Sequence, residues 1–424
     1  MRLLQDKGIR KTTPPITSKG TQLKKQLLII GGGFAGFWSA ISAIRQSREI
    51  QKRGEVDITL INPDNHVTIR SGINELPSDI LRFDLDKYLK PMGVHQVIGR
   101  AEIINPEINE VIVSTSQGIR TIIYDYLILA TGASLEVPNI PGISHTFNID
   151  SFSNSQRLED HIIELSNKGF QEEGASTFVV VGSGFNGLEI VIGMEQKVTT
   201  IHSYNPLKET SFRIILLEGK KQIATQYSPD YRKYINDVLA SKNIEVISNT
   251  QLCIIGPASV LLDNNIRIST RTVIWTEGIV ASPLTHFFKG VKDANNRLSV
   301  DRYLKSAVYD NIIAAGNVAH CPGEADQSPF TDCQYAQLEG RWAGHNAIND
   351  LFGYPLKEYI QPGYFICADL GEPKSYYSSD WENGTQHKIL KQREAENHLN
   401  SGTIYPWQDL EETLKASFPM FPTF

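Results

Sequence analysis

Two stretches of this chain repeat one pattern, and that repeat constrains the fold more than any other feature. Lys25 to Ala40 reads KQLLIIGGGFAGFWSA, and from Thr177 the chain reads TFVVVGSGFNGLEI. Each is an apolar run, a glycine turn and an apolar, helix-like segment. Gly31, Gly33 and Gly36 of the first correspond to Gly182, Gly184 and Gly187 of the second. The first glycine permits the tight turn, the second lets a phosphate approach the backbone, and the third lets helix and strand pack closely. The helix start then presents free N–H groups and the positive end of its dipole. One such turn is weak evidence, because strand–glycine–helix junctions are common. Two in the same register, about 150 residues apart, point to a duplicated dinucleotide-binding unit.

The strands that follow each turn support the duplication. Val56 to Ile61 ends at Asn62, and Phe212 to Leu217 ends at Glu218. In a dinucleotide fold the residue at that strand end meets the adenosine ribose and is usually acidic. Asn62 keeps hydrogen-bonding capacity without charge; it also suits the opening of a turn with Pro63 and Asp64. Glu218 is the carboxylate that favours a ribose 2′-hydroxyl and repels a 2′-phosphate, which favours NADH over NADPH. Lys220 and Lys221 blunt that preference. YDYLILATG (Tyr124 to Gly132) and TVIWTEG (Thr272 to Gly278) close the two units as matching apolar strands. Asn311 to Asn317, NIIAAGN, precedes a helix-like segment from Gln334 to Leu351. Asn62 to Glu75 reads as a polar loop. Its His66 reads as a loop hydrogen-bonder, and its Arg70 as either a solvated side chain or a contact to an anion or flavin edge. Thr199 to Ser211 reads as an extra loop. After Tyr354 the pattern is short and mixed, with strand-like Tyr364 to Leu370 and helix-like Gln386 to Leu399.

Bulk properties remove other classes. The formal net charge is −6, so nothing global argues for nucleic acid. No long apolar run predicts a transmembrane helix. Cys253, Cys321, Cys333 and Cys367 form no CxxC pair. That fits a reducing, cytoplasmic setting without a disulfide framework, and no metal site is expected. The first 25 residues are basic and read as a mobile tail. The closing ASFPMFPTF is apolar and proline-broken. It suits packing on the protein itself or a homodimer contact better than an interfacial helix, so at most peripheral membrane contact is expected.

The motifs in order are GGGFAG, YDYLILATG, GSGFNGLE, WTEG and AAGNVA. This order resembles the pyridine nucleotide–disulfide oxidoreductase superfamily of two-dinucleotide-binding-domain flavoproteins. Within it, the chain is most similar to type II (alternative) NADH dehydrogenase-like enzymes, over roughly residues 26 to 410. The resemblance implies an α/β fold with two Rossmann-like domains. An FAD domain (26–148 and 283–356) would be split around an NAD(P)H domain (149–282), with the basic tail (1–25) before it and a C-terminal α+β region (357–424) after it. Non-covalent FAD would be held by Gly31, Gly33, Phe34, Ala35 and Gly36, with Asn62 at the ribose and Ala101 near the adenine. Ala130, Thr131 and Gly132 would line the crossing between domains, and Gly316 and Asn317 the ribityl chain. Gly182, Gly184, Gly187 and Glu218 would hold NADH, with NADPH still open. Glu189 matches a glutamate near the nicotinamide and flavin, and is the expected catalytic residue. Arg70, Gln337 and Arg341 are expected on the substrate side.

Some residues depart from the superfamily pattern. Residues 40 to 90 contain no cysteine, so the dithiol pair of the disulfide reductases is missing. Cys321 and Cys333 read as packed, inert thiols, with a sulfide:quinone-type pair as the other reading. Quinone-reducing relatives carry Ala-Gln-x-Ala-x-Gln on the helix facing the flavin; here Glu339 and Arg341 follow Ala336-Gln337. Asn317 replaces the usual Asp. The implied reaction passes a hydride from NAD(P)H to FAD, then electrons to a quinone-like or other small acceptor. Two alternatives stay open: a biosynthetic flavoenzyme acting on a specific small metabolite, and a redox-sensing flavoprotein that controls partner binding.

Overall fold

The computed structural model describes residues 23–69, 82–203, 211–321 apart from 226 and 228, 333–360, three strands between 365 and 391, and 406–420 apart from 407. The first unit opens with β1 (Lys25–Ile30), α1 (Phe34–Glu49) and β2 (Val56–Asn62). A short antiparallel pair, β3 (His66–Thr68) and β4 (Arg82–Asp84), and the short helix α2 (Leu85–Leu89) follow. Then come β5 (His95–Asn105), β6 (Glu110–Thr115), β7 (Gly118–Ile123), β8 (Tyr126–Leu129) and β9 (Ala133–Leu135). The second unit contains α3 (Phe152–Asn167), β10 (Thr177–Val181), α4 (Phe185–Ser203), β11 (Arg213–Glu218), α5 (Pro229–Ser241) and β12 (Glu245–Ser248). An antiparallel trio, β13 (Leu252–Ile255), β14 (Ser259–Leu262) and β15 (Arg267–Ser269), precedes β16 (Thr272–Trp275). The chain returns through β17 (Ile279–Ala281), β18 (Leu298–Ser299), β19 (Ile312–Ala314), β20 (Ala319–His320) and α6 (Cys333–Leu351). Antiparallel β21 (Phe365–Asp369), β22 (Lys374–Ser379) and β23 (Gln386–Lys391), then α7 (Leu410–Ala416), complete the described elements.

The duplicated sequence is a duplicated topology. The second sheet is wholly parallel, in the order β12-β11-β10-β16. The first runs β19-β8-β1-β2-β5 in parallel and continues into antiparallel β6 and β7. Each glycine-turn strand therefore lies between its second strand and its closing strand. β19 follows the whole second sheet in the chain, yet pairs with β8 through Ile312 and Leu127. The first Rossmann-like unit is thus split around the second.

Uninterrupted apolar runs produce this arrangement because strands of a covered parallel sheet bury both faces. In β10, Val179 and Val181 enter one core cluster, while Phe178 and Val180 enter the other. The period-two alternation of strand side chains makes that division.

Helix α1 is buried along nearly its whole length and packs on α6. The contact depends on small residues. A Cβ on Gly340 would fall on the carbonyl oxygen of Ala35, and one on Gly344 on that of Ser39. At the far end Gln46 Nε2 donates to Asn349 Oδ1 at 2.7 Å, and Arg45 Nη2 meets His345 Nδ1 at 3.1 Å. Burial, then Arg45 and Lys357, push the His345 imidazole down to about 4, so it packs neutral.

Three expectations are corrected. The supposed loop from Asn62 contains strand β3, because its backbone pairs with β4. Gln386 to Lys391 is strand, not helix, since β22 supplies an antiparallel partner that helical periodicity cannot anticipate. Helix α4 continues through Ser203, past the point where a loop was expected. The unexpected helix α3 starts at Ser151, whose side chain accepts from Asn154 N, and buries Leu158, Ile162 and Leu165 on one face. The remainder of the helix-like stretch to Leu399, Arg70 and residues 1–22 of the tail lie outside the described residues.

Gly344→Ala is expected to cost about 1–3 kcal/mol through overpacking. Gly54→Ala, where a Cβ meets nothing within 4 Å, moves the melting temperature little; thermal unfolding of both variants checks this. His345 sets a pH dependence. The unfolded imidazole takes its proton near pH 6.5 and the folded one only near about 4, so stability is lost as pH falls between these values. His345→Gln is expected to remove that part of the slope in melting temperature against pH.

Candidate dinucleotide cleft

A cleft of about 1970 Å³ is lined from the C-terminal ends of both parallel sheets. This is where open α/β sheets bind ligands, outside the strand ends where connections diverge. Both glycine turns open into it, and they are built alike. Gly31 and Gly182 each have φ of +103°. Gly31 N donates to Ile61 O at 2.9 Å and Ala130 N to Ile30 O at 2.8 Å; Gly182 N donates to Leu217 O at 2.8 Å and Thr276 N to Val181 O at 3.1 Å. A Cβ on Gly36 would fall on the carbonyl oxygen of Gly31, and one on Gly187 on that of Gly182.

The middle glycines differ. At Gly33 and Gly184 a Cβ would meet no protein atom within 4 Å, and neither has a left-handed φ. Packing within the protein therefore does not demand glycine there. A phosphate brought against the backbone does, because a side chain would occupy its place. Gly33, the N-cap of α1, makes no side-chain cap, and neither α1 nor α4 carries an acid in its first turn. Both helix starts thus keep donors for an anion. The residues fit two dinucleotides, FAD and NAD(H).

The second-strand residues clamp the turns. Asn62 Oδ1 accepts from Gly32 N at 2.8 Å, and its Nδ2 donates to Asp64 O at 2.8 Å. Glu218, buried, accepts from Ser183 N at 3.0 Å and from the Ser183 hydroxyl, while its other oxygen accepts from Lys220 N at 2.8 Å. Ser183 Oγ in turn accepts from Ala224 N at 3.0 Å.

Two acids complete the site and were not assigned to it from sequence. Glu339, buried on α6, accepts from Gly316 N at 2.6 Å and holds the turn that presents Asn317 to the cleft. The acid at 339 beside the missing acid at 317 was the available signal. Glu277 follows β16 and lines the cleft at the second turn, where a Cβ on Gly182 would fall on its Cγ. Burial first, then Glu218, raise the Glu277 carboxyl above the usual range, with Lys220 opposing.

Gly31, Gly33, Phe34, Ala35 and Asn62 line the cleft. So do Ala101, Ala130, Thr131, Gly132, Gly184, Glu218, Gly316 and Asn317, together with His66. Gly36, Gly182 and Gly187 lie outside the lining, at the strand–helix packing. Glu189 is buried in α4 and is not in the lining, though Phe185, four residues earlier on the same helix face, is. Gln337 and Arg341 are also outside it. Gln337 is buried with Nε2 unpartnered among the described residues. The Arg341 guanidinium stacks 4.6 Å over Trp38, and burial lowers it to about 10. Cys321 is buried, and the Cys333 side chain lies outside the described residues.

Gly184→Val is expected to cost no more than about 1 kcal/mol of stability, the N-cap preference for glycine over valine, while weakening NADH binding at least ~10-fold. Gly187→Val is expected to prevent folding of the unit. Melting curves and fluorescence titrations separate the two.

Comparison with known proteins agrees with this geometry. An NADH dehydrogenase-like protein of Mycobacterium tuberculosis is 28% identical over 383 residues, covering 90% of this chain and 94% of its own length. A demethylphylloquinone reductase of Synechocystis is 23% identical over 349 residues, covering 79% of this chain and 82% of that protein. The solved structure of NDH2 from Plasmodium falciparum in complex with NADH superposes with a TM-score of 0.74 at 14% identity, covering 93% of this chain and 97% of that one. The model of the pyridine nucleotide-disulphide oxidoreductase family matches residues 25–340. With two glycine turns facing one cleft, this chain belongs to that family, and it is an oxidoreductase that uses FAD and NAD(H).

Proposed function

We propose that this protein carries electrons from NADH to a quinone-like or other small acceptor by way of FAD held at the first turn. The observation that carries the reading is that both glycine turns open into one cleft of about 1970 Å³. That is roughly twice the upper end of a site for one drug-sized ligand, and it suits two dinucleotides meeting. FAD held there would supply the redox chemistry, hydride acceptance and onward electron transfer.

The chain's own residues bind and orient. Gly31, Gly33 and the start of α1 would hold the FAD pyrophosphate, with Asn62 bracing the turn through Gly32 N. Gly316 and Asn317, fixed by Glu339, would set the far end. Gly182, Gly184 and the start of α4 would hold NADH. Glu218 faces the cleft as a buried carboxylate, which favours an uncharged ribose 2′-hydroxyl over a 2′-phosphate. Glu189, one helical turn from Phe185, would position the ring site. The division into an FAD domain (26–148 and 283–356) and an NAD(P)H domain (149–282) belongs to the same proposal.

In the sequence, Glu339 and Arg341, which depart from the Ala-Gln-x-Ala-x-Gln pattern of quinone-reducing relatives, favour a polar metabolite as substrate alongside Asn317 and the lack of an evident membrane-binding helix. Glu339 is engaged with Gly316 N and Arg341 with Trp38, and neither lines the cleft. That removes the support they lent to the metabolite reading. Among the described residues no helix is long and apolar enough to cross a membrane.

Anaerobic NADH is expected to bleach the flavin's visible absorbance rapidly, and a soluble quinone analogue to restore it. NADPH is expected to act at least ~10-fold less efficiently, the equivalent of one lost charge-compatible contact. Absence of bleaching with either nucleotide would overturn the proposal; bleaching without quinone reoxidation would overturn the assigned acceptor.

A further inference from the structure

The β-registers align the two units residue by residue. Ile30 pairs with Leu129 and Ile61 in the first, and Val181 with Trp275 and Leu217 in the second. Asn62 therefore corresponds to Glu218, and Thr131 to Glu277. The first turn is flanked by two neutral side chains and the second by two acids. Any dinucleotide brings a doubly charged pyrophosphate to its turn, so at these two corresponding positions the second turn, unlike the first, meets it with acids.

The two acids are not equally supported. Glu218 accepts from three donors: Ser183 N, the Ser183 hydroxyl and Lys220 N. The Glu277 carboxyl takes no hydrogen bond or ion pair among the described residues; only its backbone carbonyl is used, by Trp275 Nε1 at 2.9 Å. Its side chain lies against Gly182 and lines the cleft beside the second turn. The charged groups around it are Glu218 at the end of β11, Lys220 in the loop beyond, and Glu136 after β9. Glu136 N donates to Gly278 O at 2.6 Å. When two carboxylates share a site, the one without donors takes the proton.

We propose that Glu277 is the proton-bearing carboxyl of the exchanging dinucleotide site, so that NAD(H) binds with Glu277 protonated and its affinity falls as pH rises. This step rests on the second turn holding NAD(H). Where free Glu277 is ionised, binding takes up at most one proton from solvent and no covalent bond changes. The neutral carboxyl removes one like charge beside the pyrophosphate and offers an O–H donor. Burial and Glu218 already bias the free group toward that form. The site at the first turn, flanked by Asn62 and Thr131, has no such dependence, which suits a resident cofactor beside an exchanging one.

Below the pKa of free Glu277 affinity is flat. Between the free and bound pKa values it falls about tenfold for each unit by which binding raises the group.

The test is calorimetric titration of FAD-loaded protein with NADH and with ADP-ribose, at about pH 6 and about pH 8.5, in buffers of different ionisation heat. Wild type is expected to bind about tenfold more weakly at the higher pH and to take up a proton. E277Q, with unchanged FAD content and melting temperature, is expected to lose both the pH dependence and the proton uptake. E218Q removes the neighbouring charge and is expected to move the dependence to lower pH, which keeps the test decisive if E277Q folds poorly. Tight binding with a flat wild-type profile, or an E277Q profile like wild type, would overturn the role of Glu277 and leave the nucleotide site standing. Failure of wild type to bind NADH at either pH would instead overturn the assignment of the second turn, and this inference with it.

Discussion

The carbonyl oxygen of Gly31 occupies the space that a Cβ on Gly36 would need, and the carbonyl of Gly182 does the same to Gly187. These two close approaches pin each helix start against its strand end. Any side chain at the third glycine would push the helix away and turn its free N–H groups off the cleft. The left-handed φ of Gly31 and Gly182 is the other half of the constraint, since it turns the backbone sharply enough for the helix to begin within three residues. The position of the cleft at the helix starts, beside Asn62 and Glu218, depends on helices held at that distance.

Helix α1 transmits the constraint to the rest of the first unit. One side packs on the sheet, and the other receives α6 through Gly340 and Gly344, so that backbone meets backbone. The same α6 delivers Glu339 to Gly316 N, and thereby ties the strand that returns after the second unit to the first helix of the chain. Arg341 shows how a charge is kept in such a packed layer. Its guanidinium sits over the Trp38 ring, whose face offers a cation some compensation for lost water.

The two units share geometry and differ in charge. The first is flanked by amide and hydroxyl side chains, the second by carboxylates. Ser183, where the first unit has Gly32, supplies a hydroxyl that the buried Glu218 needs in addition to the backbone N–H. A neutral Asn62 is satisfied by one backbone donor and one backbone acceptor. The difference of one residue in the turn thus follows from the acid at the strand end, because a buried carboxyl requires more donors than a half-buried amide.

Much of this was legible in the amino-acid sequence. The glycine spacing, the apolar runs from Leu27 and Phe178, and the residues ending the second strands are local patterns, and steric limits on a few adjacent residues decide them. Glu218 could be read as the acid of its strand for the same reason. The strand at Gln386, the helix from Phe152 and the strand at His66 were not legible, because partner strands and buried faces outweigh weak local preference. Glu277 and Glu339 stood in plain view as charged residues, but each gains its meaning from a glycine far away in the chain, Gly182 and Gly316. The sequence by itself determined two dinucleotide turns and the class of fold that carries them, since those rest on short-range backbone geometry. Only the tertiary structure decided which carboxylates face the cleft and which brace its walls, because burial and like-charge proximity exist only once distant segments meet.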